Sequence, residues 1–275
     1  MAKATIDLII NADDYGYYPC VSKGILAAAK SGAITATGVL ANSPDLETQL
    51  QWLKGIESLD VGVHLNLTCR QPLTRGMADK LGHCNGQFPN VYAMSRLLLT
   101  GKISLADVKA EWRAQIETCQ SQKLRFLNSH EHIHMLPLLF PLVLELAQDY
   151  GIDQVRLTQA EWFAVFGLSA LIRNSLMQTM QVINQRHLKI KNPLFLGLSR
   201  SGKLDYGYLT SIFSNLKPGQ SYELMCHPGH FDPTDVSDAK LLAYHDWEGE
   251  LALLQSPKVH DLYEKFGIRL SQYPH

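Results

Sequence analysis

Three histidines, His130, His132 and His134, occupy alternate positions in residues 128–134, which read NSHEHIH. On an extended backbone, alternate side chains share one face, so this spacing predicts three imidazoles that point into one space. Neutral imidazole is the commonest protein ligand for divalent transition metals. The segment therefore predicts half of a metal site at the end of a strand. The alternative is a polar strand end whose histidines share no role.

Two adjacent acids, Asp13 and Asp14, follow the apolar run 6–12. Adjacent residues cannot share a face of a regular strand, so we expect one carboxylate to coordinate a metal and the other to face the substrate water. Adjacent carboxylates also tend to separate in proton affinity, which supports an acid/base division of roles. The alternative is a turn or a helix N-cap near Gly16.

Three further residues follow or end predicted strands: His64, Arg156 and His227. Each alone has an ordinary interpretation as a core histidine, a surface arginine or a turn residue. Together with the acids they predict metal-assisted hydrolysis of an amide or ester. One Asp and two His on a divalent ion leave positions open for water and substrate. The metal would polarise a carbonyl, a free carboxylate would take a proton from water, and a histidine opposite would protonate the leaving group.

Hydrophobic periodicity predicts strands that alternate with helices along the whole chain. The predicted strands are 6–12, 36–41, 61–67, 126–129, 154–157, 221–226 and 268–271. The predicted helices are 21–30, 46–54, 104–119, 138–150, 163–180, 239–254 and 257–266, and residues 69–90 are expected to form a long functional loop. This order predicts an α/β fold with a parallel sheet. An irregular (β/α) barrel, TIM-like, suits the motifs better than an open sheet, because a closed rim brings distant strand ends together.

Composition excludes several classes of protein. The 275 residues are 46% hydrophobic and 19% charged with a formal net charge of −1, so no broad basic field favours nucleic acid. No apolar run reaches the length of a membrane span, and the N-terminus has no signal-peptide core. Five cysteines without CxxC spacing argue against a disulfide framework or a zinc ribbon. We therefore expect a cytoplasmic protein that acts on a small molecule.

Five motifs then appear in order: NADDYG at 11–16, ITATGVLANSP at 34–44, VGVHLNLT at 61–68, SHEHIHMLP at 129–137 and ELMCHPGH at 223–230. Together they resemble the YdjC-like carbohydrate deacetylase family, which includes chitooligosaccharide deacetylases and hopanoid-biosynthesis deacetylases. The resemblance runs from about Ile6 to Tyr273 and is weakest across 161–217. It implies one domain over 1–275 and an irregular barrel related in mechanism to NodB-type deacetylases. It also implies hydrolysis of N-acetyl groups from acetylated sugars with Mg²⁺ or Zn²⁺, and a homodimer by analogy with relatives.

The resemblance also implies a role for each matching residue. Asp13 would be the general base and His227 the general acid, while Arg156 would orient the catalytic carboxylate. Asp14 and His64 would be two of the metal ligands.

The third ligand would come from the histidine segment, with His130 as the first candidate and His134 as the substitute. His132 would face the substrate or support a ligand. The family usually has Asp at the position of Asn128, so the hydrogen bond that orients a ligand imidazole is expected to be weaker or redirected here.

Two other functions remain open from the sequence. The chain could be a catalytically silent sugar- or metal-binding protein, although both acids of the first motif are present. It could also be a metallohydrolase of another bond such as a phosphoester, but it has no Gly-rich phosphate loop or basic cluster near the motifs.

Overall fold

One parallel sheet organises the protein. The computed structural model describes residues 5–162, 168–188 and 192–274. Within them, the strands β1 to β8 are, in chain order, Ile6–Tyr15, Ala36–Val39, Asp60–Leu65, Leu124–Ser129, Gln154–Val155, Leu194–Leu196, Ser221–Cys226 and Ile268–Leu270. Their spatial order is β5-β4-β3-β2-β1-β7-β6, and β8 pairs with β1. The sheet curls into a half-barrel, which confirms the predicted α/β class and irregular barrel.

Helices connect the strands and cover the sheet. Helices α1 to α11 are Pro19–Lys30, Leu46–Trp52, Arg75–Lys80, Val91–Leu99, Leu105–Thr118, Phe140–Asp149, Leu168–Asn184, Tyr206–Phe213, Ala239–Tyr244, Trp247–Leu254 and Pro257–Phe266. Helices α1 and α5 pack on β1 and β3, whose residues are almost all buried, as expected of a parallel sheet covered by helices. In the described part of the chain, no helix has both the length and the apolar character needed to cross a bilayer.

Three predicted elements differ from the structure. The expected loop 69–90 contains α3, and the expected helix 239–254 is two helices, because Asp246 accepts a hydrogen bond from the Gly249 amide and starts α10 anew. After the predicted helix 163–180, the rest of segment 161–217 has no clear hydrophobic period, yet it contains β6 and α8. Of the expected helix 163–180, residues 163–167 lie outside the described residues, and the rest belongs to α7.

The histidine segment is also not a strand, so the prediction that its three imidazoles share one face is wrong. Strand β4 ends at Ser129, and His130–Met135 form 3₁₀ turns interrupted by Glu131 and His132, whose φ angles are 50° and 53°. The Ser129 hydroxyl oxygen accepts a hydrogen bond from the His134 amide at 2.9 Å, which stabilises the turn. The three imidazoles therefore do not share one face of a strand.

Candidate active site

The carboxyl ends of the strands surround a cavity of about 580 Å³. Five of the residues predicted from the sequence line its floor: Asp13, Asp14, His64, His130 and His227. They come from the ends of β1, β3, β4 and β7, which the sheet order brings to one side. The volume lies in the range of about 300–1,000 Å³ that small-molecule sites occupy.

Asp13 and Asp14 reach the same cavity because the end of β1 is irregular. The register between β1 and β2 shifts between Ala12 and Tyr15, and Asp14 has a φ of 69°. A non-glycine residue with positive φ is uncommon, and such conformations cluster at functional sites. The bulge thereby turns two adjacent carboxylates, which a regular strand would separate, towards one space.

The Asp13 carboxylate is buried and accepts several hydrogen bonds. Arg156 donates from Nη1 to Oδ2 at 2.6 Å and from Nη2 to Oδ1 at 2.9 Å. Asn11 and Asn128 donate to Oδ1 at 3.1 and 2.9 Å. Burial alone would raise the pKa of Asp13, but the charges of Arg156 and His64 outweigh it and lower the pKa to about 2. Asp13 is therefore ionised at neutral pH.

Arg156 lies beneath the floor between two carboxylates. Its Nε donates to Glu223 Oε1 at 2.7 Å. Its side chain is fully buried, and its guanidinium lies 5.2 Å from the Phe195 ring centre. Burial alone would lower the pKa of Arg156, but Asp13 and Glu223 raise it above its ordinary value. The cation is therefore permanent and fixes the orientation of the Asp13 carboxylate.

Asn128 determines the tautomer of His64. A carboxylate only accepts hydrogen bonds, so the Asn128 amide nitrogen must face Asp13 Oδ1, 2.9 Å away. The Asn128 carbonyl oxygen then faces His64 Nδ1 at 2.7 Å, and Nδ1 must carry the proton. Gly38 makes room for this pair, because a Cβ there would lie 3.1 Å from Asn128 Oδ1 and 3.2 Å from His64 Cβ.

When the ring is neutral, this tautomer leaves the lone pair of His64 Nε2 facing Asp14 Oδ1 at 3.3 Å, and when it is charged, Nε2 donates to that oxygen. Two acceptors at that distance repel each other unless a proton or a cation lies between them. His130 completes the group, with Nδ1 at 2.9 Å from the same Asp14 oxygen. One ligand atom from each of the three residues lies within 4.8 Å of the others. Because such atoms bind a zinc-sized ion at about 2.0–2.2 Å, the group fits a divalent metal after small side-chain adjustments.

The protonation of Asp14 and His130 depends on their contact. Burial would raise the pKa of Asp14, but the charge of His130 and hydrogen bonds from His130 and His64 lower it well below its ordinary value. Burial would lower the pKa of His130, but Cys69 and Asp14 raise it well above its ordinary value. A ligand imidazole must be neutral, so metal binding at this group would release the His130 proton.

The structure places the substitute candidate His134 outside this group. Its Nε2 lies 2.9 Å from the Arg156 carbonyl oxygen and therefore donates. Its Nδ1 then accepts from the Ser129 hydroxyl at 2.5 Å. With both ring nitrogens engaged and no exposed surface, His134 connects β4 to the strand end that carries Arg156. His132 lines the cavity, and its Nδ1 lies 3.2 Å from the Thr158 hydroxyl.

A second imidazole, His245, accompanies His227. Their ring centres are 5.0 Å apart, both residues line the cavity, and His245 stacks on Trp247 with an interplanar angle of 8°. The His227 backbone amide donates to the buried Glu250 carboxylate at 2.6 Å, which anchors the turn after β7. In the described part of the chain, Nδ1 of each ring is buried without a hydrogen-bond partner.

Sequence reasoning missed three of these residues. Glu223 carried a usable signal, because a glutamate inside an apolar core strand must find a buried partner. No sequence signal indicated a role for Asn11 or His245, because their roles depend on contacts with distant elements.

The buried His245 gives a testable pH dependence of stability. Burial and the charge of His227 lower its pKa from 6.5 to about 3. Between these values the unfolded chain binds the proton and the folded chain does not, so stability falls as pH falls below 6.5. We expect the loss of unfolding free energy between pH 7.5 and 5.0 to be about 2 kcal/mol smaller in His245→Gln than in the parent. Urea unfolding at both pH values measures it, and equal losses would contradict the buried neutral imidazole.

Comparison with known proteins identifies the family. The sequence model of the YdjC-like protein family matches residues 7–265. The chain is 28% identical over 267 residues to a carbohydrate deacetylase of Geobacillus stearothermophilus, covering 96% of each chain. It is 29% identical over 266 residues to a chitooligosaccharide deacetylase of Escherichia fergusonii, covering 97% of each. A solved Enterococcus faecalis structure, described as a cellobiose-phosphate cleavage protein, shares the fold with a TM-score of 0.75 at 24% identity over 98% of both chains.

The parallel half-barrel places this chain among the α/β proteins, and the acids and imidazoles at its strand ends form a group that could hold a metal ion. Within that class, this chain belongs to the YdjC-like family, which confirms the resemblance drawn from its motifs.

Proposed function

We propose that this protein is a metal-dependent deacetylase that hydrolyses the N-acetyl group of an acetylated sugar. The observation that carries the proposal is the group Asp14, His64 and His130, which lies beside the ionised Asp13 in the cavity that His227 also lines. The names of its full-length relatives, carbohydrate deacetylase and chitooligosaccharide deacetylase, support this choice of reaction.

Asp13 is the proposed general base. Its Oδ1 accepts from three donors, whereas from the described residues Oδ2 accepts one hydrogen bond, from Arg156. A carboxylate oxygen has two acceptor directions, so Oδ2 has one left for a water molecule in the cavity. Asp13 takes a proton from this water as its oxygen forms a bond to the acetamido carbonyl carbon. Arg156 keeps the carboxylate charged and oriented.

His227 is the proposed general acid. It lines the cavity from the end of β7, on a turn that Glu250 anchors. As the carbon–nitrogen bond breaks, His227 gives a proton to the departing amine, so the products are acetate and a free amino sugar. The neighbouring His245 is neutral at ordinary pH, because burial lowers its pKa to about 3.

Asp14, His64 and His130 would hold a divalent ion such as Mg²⁺ or Zn²⁺. A bound ion would polarise the acetamido carbonyl and lower the pKa of water at the site. Asn128 supports this by fixing the His64 ring with Nε2 directed to the ligand group.

Acetate release tests the reaction. Protein stripped with chelator and then given Mg²⁺, Zn²⁺ or Mn²⁺ separately would be assayed on N-acetylglucosamine and its oligomers. We expect acetate release that returns with metal. Metal binding without acetate release from any acetylated sugar would contradict the proposed activity and favour a binding protein.

Metal affinity tests the ligand set independently of turnover. We expect His130→Gln to raise the dissociation constant for Zn²⁺ by about 100-fold or more, because one of three ligands is lost. His134→Gln serves as the matched variant, since both its ring nitrogens are bound elsewhere, and its dissociation constant should change by less than about tenfold. Chelator competition measures both, and the reverse order would assign the third ligand to His134.

A further inference from the structure

His245 is a buried imidazole in the catalytic cavity to which the proposed reaction gives no role. Only 8% of its surface is exposed, yet it lines the cavity together with His227, and the two ring centres lie 5.0 Å apart. A buried polar side chain without a hydrogen-bond partner costs free energy, so such groups in proteins have a partner or a functional reason to lack one. The ring of His245 therefore requires an explanation.

Three neighbours fix the orientation of this ring. Trp247 stacks on it with ring centres 5.0 Å apart and nearly parallel planes, and Tyr244 lies edge-on with its ring centre at 4.8 Å. The Nδ1 atom lies against the backbone of Gly202, because a Cβ on that glycine would be only 3.0 Å from it. The ring is thus held between aromatic neighbours with Nδ1 directed at the chain.

Nε2 is the ring nitrogen of His245 that is available to a ligand. Nδ1 is buried and has no hydrogen-bond partner within the described ranges 5–162, 168–188 and 192–274, whereas Nε2 keeps accessible surface. His245 also borders a smaller outer pocket beside Asp246, but its ring contacts His227 and Tyr244, which both line the catalytic cavity. Nε2, at the tip of the ring, therefore faces the catalytic cavity.

The surroundings favour a neutral ring that carries its proton on Nε2. Burial and the charge of His227 lower the pKa of His245 from 6.5 to about 3. A proton on Nδ1 would bury an N–H group without an acceptor, and unpaired buried N–H groups are rarer in proteins than unpaired buried acceptors. With the proton on Nε2, His245 offers one N–H donor to the cavity.

The position beside His227 indicates which part of a sugar this donor would meet. In the proposed reaction, His227 gives its proton to the acetamido nitrogen. Polar atoms on neighbouring carbons of a sugar ring lie about one hydrogen-bond length, roughly 3 Å, apart. A second imidazole whose centre is 5.0 Å from that of His227 is therefore within reach of the two oxygens that flank this nitrogen, the anomeric oxygen and the hydroxyl on the third ring carbon.

We infer that His245 is a specificity-determining residue that donates a hydrogen bond from Nε2 to a sugar oxygen adjacent to the acetamido group. The inference rests on the proposed deacetylase function and adds a substrate contact to it. Both flanking oxygens can accept this bond, and the experiment distinguishes them. The contact lets the site recognise the sugar ring as well as the acetamido group that it carries.

Calorimetry on Zn²⁺-loaded protein tests the contact without requiring turnover. Methyl β-N-acetylglucosaminide, its 3-deoxy analogue and its analogue without the anomeric oxygen would each be titrated into the parent and into His245→Phe. Phenylalanine keeps an aromatic ring beside Trp247 but has no donor. We expect one analogue to bind the parent about 3- to 10-fold more weakly than the glycoside, because one neutral hydrogen bond is lost. In His245→Phe the same analogue should bind within about twofold of the glycoside.

His260→Phe is the matched control, because His260 lies exposed on α11 and does not line the cavity. This variant should show the same pattern of affinities as the parent. Three results would overturn the inference. Equal binding of all three compounds to the parent would show that neither oxygen is bound, and a loss that persists in His245→Phe would assign the oxygen to another group. Equally weakened binding of all three compounds to His245→Phe would show a structural role.

Acetate release from the same glycoside separates this inference from the proposed reaction. If the parent releases no acetate, the deacetylase proposal fails, whereas the affinities still decide the role of His245. If acetate is released and the affinities follow one of the three contrary patterns, the role of His245 is wrong and the deacetylase proposal stands. No measurable binding of the glycoside to the parent would also overturn the inference.

Discussion

Replacing Asp13 by Asn is expected to reduce kcat by about 10²- to 10⁴-fold while metal binding is retained. The amide of Asn cannot take a proton from water, although it has nearly the shape of the carboxylate. Asp13 is not part of the three-residue group proposed to hold the metal, so the dissociation constant for Zn²⁺ should change by less than about tenfold. Single-turnover acetate release and chelator competition on the same preparation measure the two quantities.

Asp79→Asn is the matched control, because Asp79 lies exposed on α3, away from the cavity lining. Its kcat should equal that of the parent. The Asp13 variant also loses one hydrogen bond from Arg156, so its circular dichroism spectrum must show a folded protein before the loss is assigned to chemistry. Turnover within a factor of about three of the parent would remove Asp13 from the role of base.

The second large effect concerns stability. Arg156→Met is expected to lower the unfolding free energy by about 3–5 kcal/mol, because removing one partner of a buried ion pair leaves uncompensated buried charge. Asp13 and Glu223 are 2% exposed and would face each other across an apolar side chain. Because the charge of Arg156 lowers the pKa of Asp13 in the parent, that pKa should rise in the variant, which adds a proton uptake that the parent lacks. Urea unfolding at pH 7.5 measures the loss.

An exposed arginine–aspartate pair provides the control. Arg269 Nη2 lies 2.7 Å from Asp7 Oδ1, with 65% and 36% of the two side chains exposed. Solvent screens such a pair, so Arg269→Met should cost less than about 1 kcal/mol. A similar loss of unfolding free energy in both variants would show that the buried ion pairs of Arg156 stabilise the fold no more than the exposed pair of Arg269.

The sequence predicted the strand framework well, because that part of the fold depends on local pattern. Apolar runs such as 6–12 and 221–226 indicate strands that are buried on both faces, and both runs lie within the observed β1 and β7. The capping box at Ser104 and Asp107 likewise has both of its hydrogen bonds. Short elements such as β6 and α8 were missed, because they have no strong hydrophobic period from which to predict them.

The details of the site could not be predicted in the same way. Alternate histidines imply a shared face only if the backbone stays extended. The strand end at Ser129 was predicted, but nothing local indicated that the histidines after it would form 3₁₀ turns. The Asp14 bulge and the stacking of His245 on Trp247 depend on partners from other elements. Asn128 was recognised as a departure from the family, but its bridge between His64 and Asp13 required their relative positions.

That bridge has a further consequence for the overall charge balance of the site. With neutral histidines, the carboxylates of Asp13, Asp14 and Glu223 and the guanidinium of Arg156 leave two formal negative charges in a buried region. An aspartate in place of Asn128 would make this three. A divalent cation therefore balances the net charge of these four groups with Asn128, but not with Asp. With a divalent ion bound, these groups would carry no net charge, so an amide substrate, which is itself uncharged, could enter without adding an unbalanced charge to the buried region.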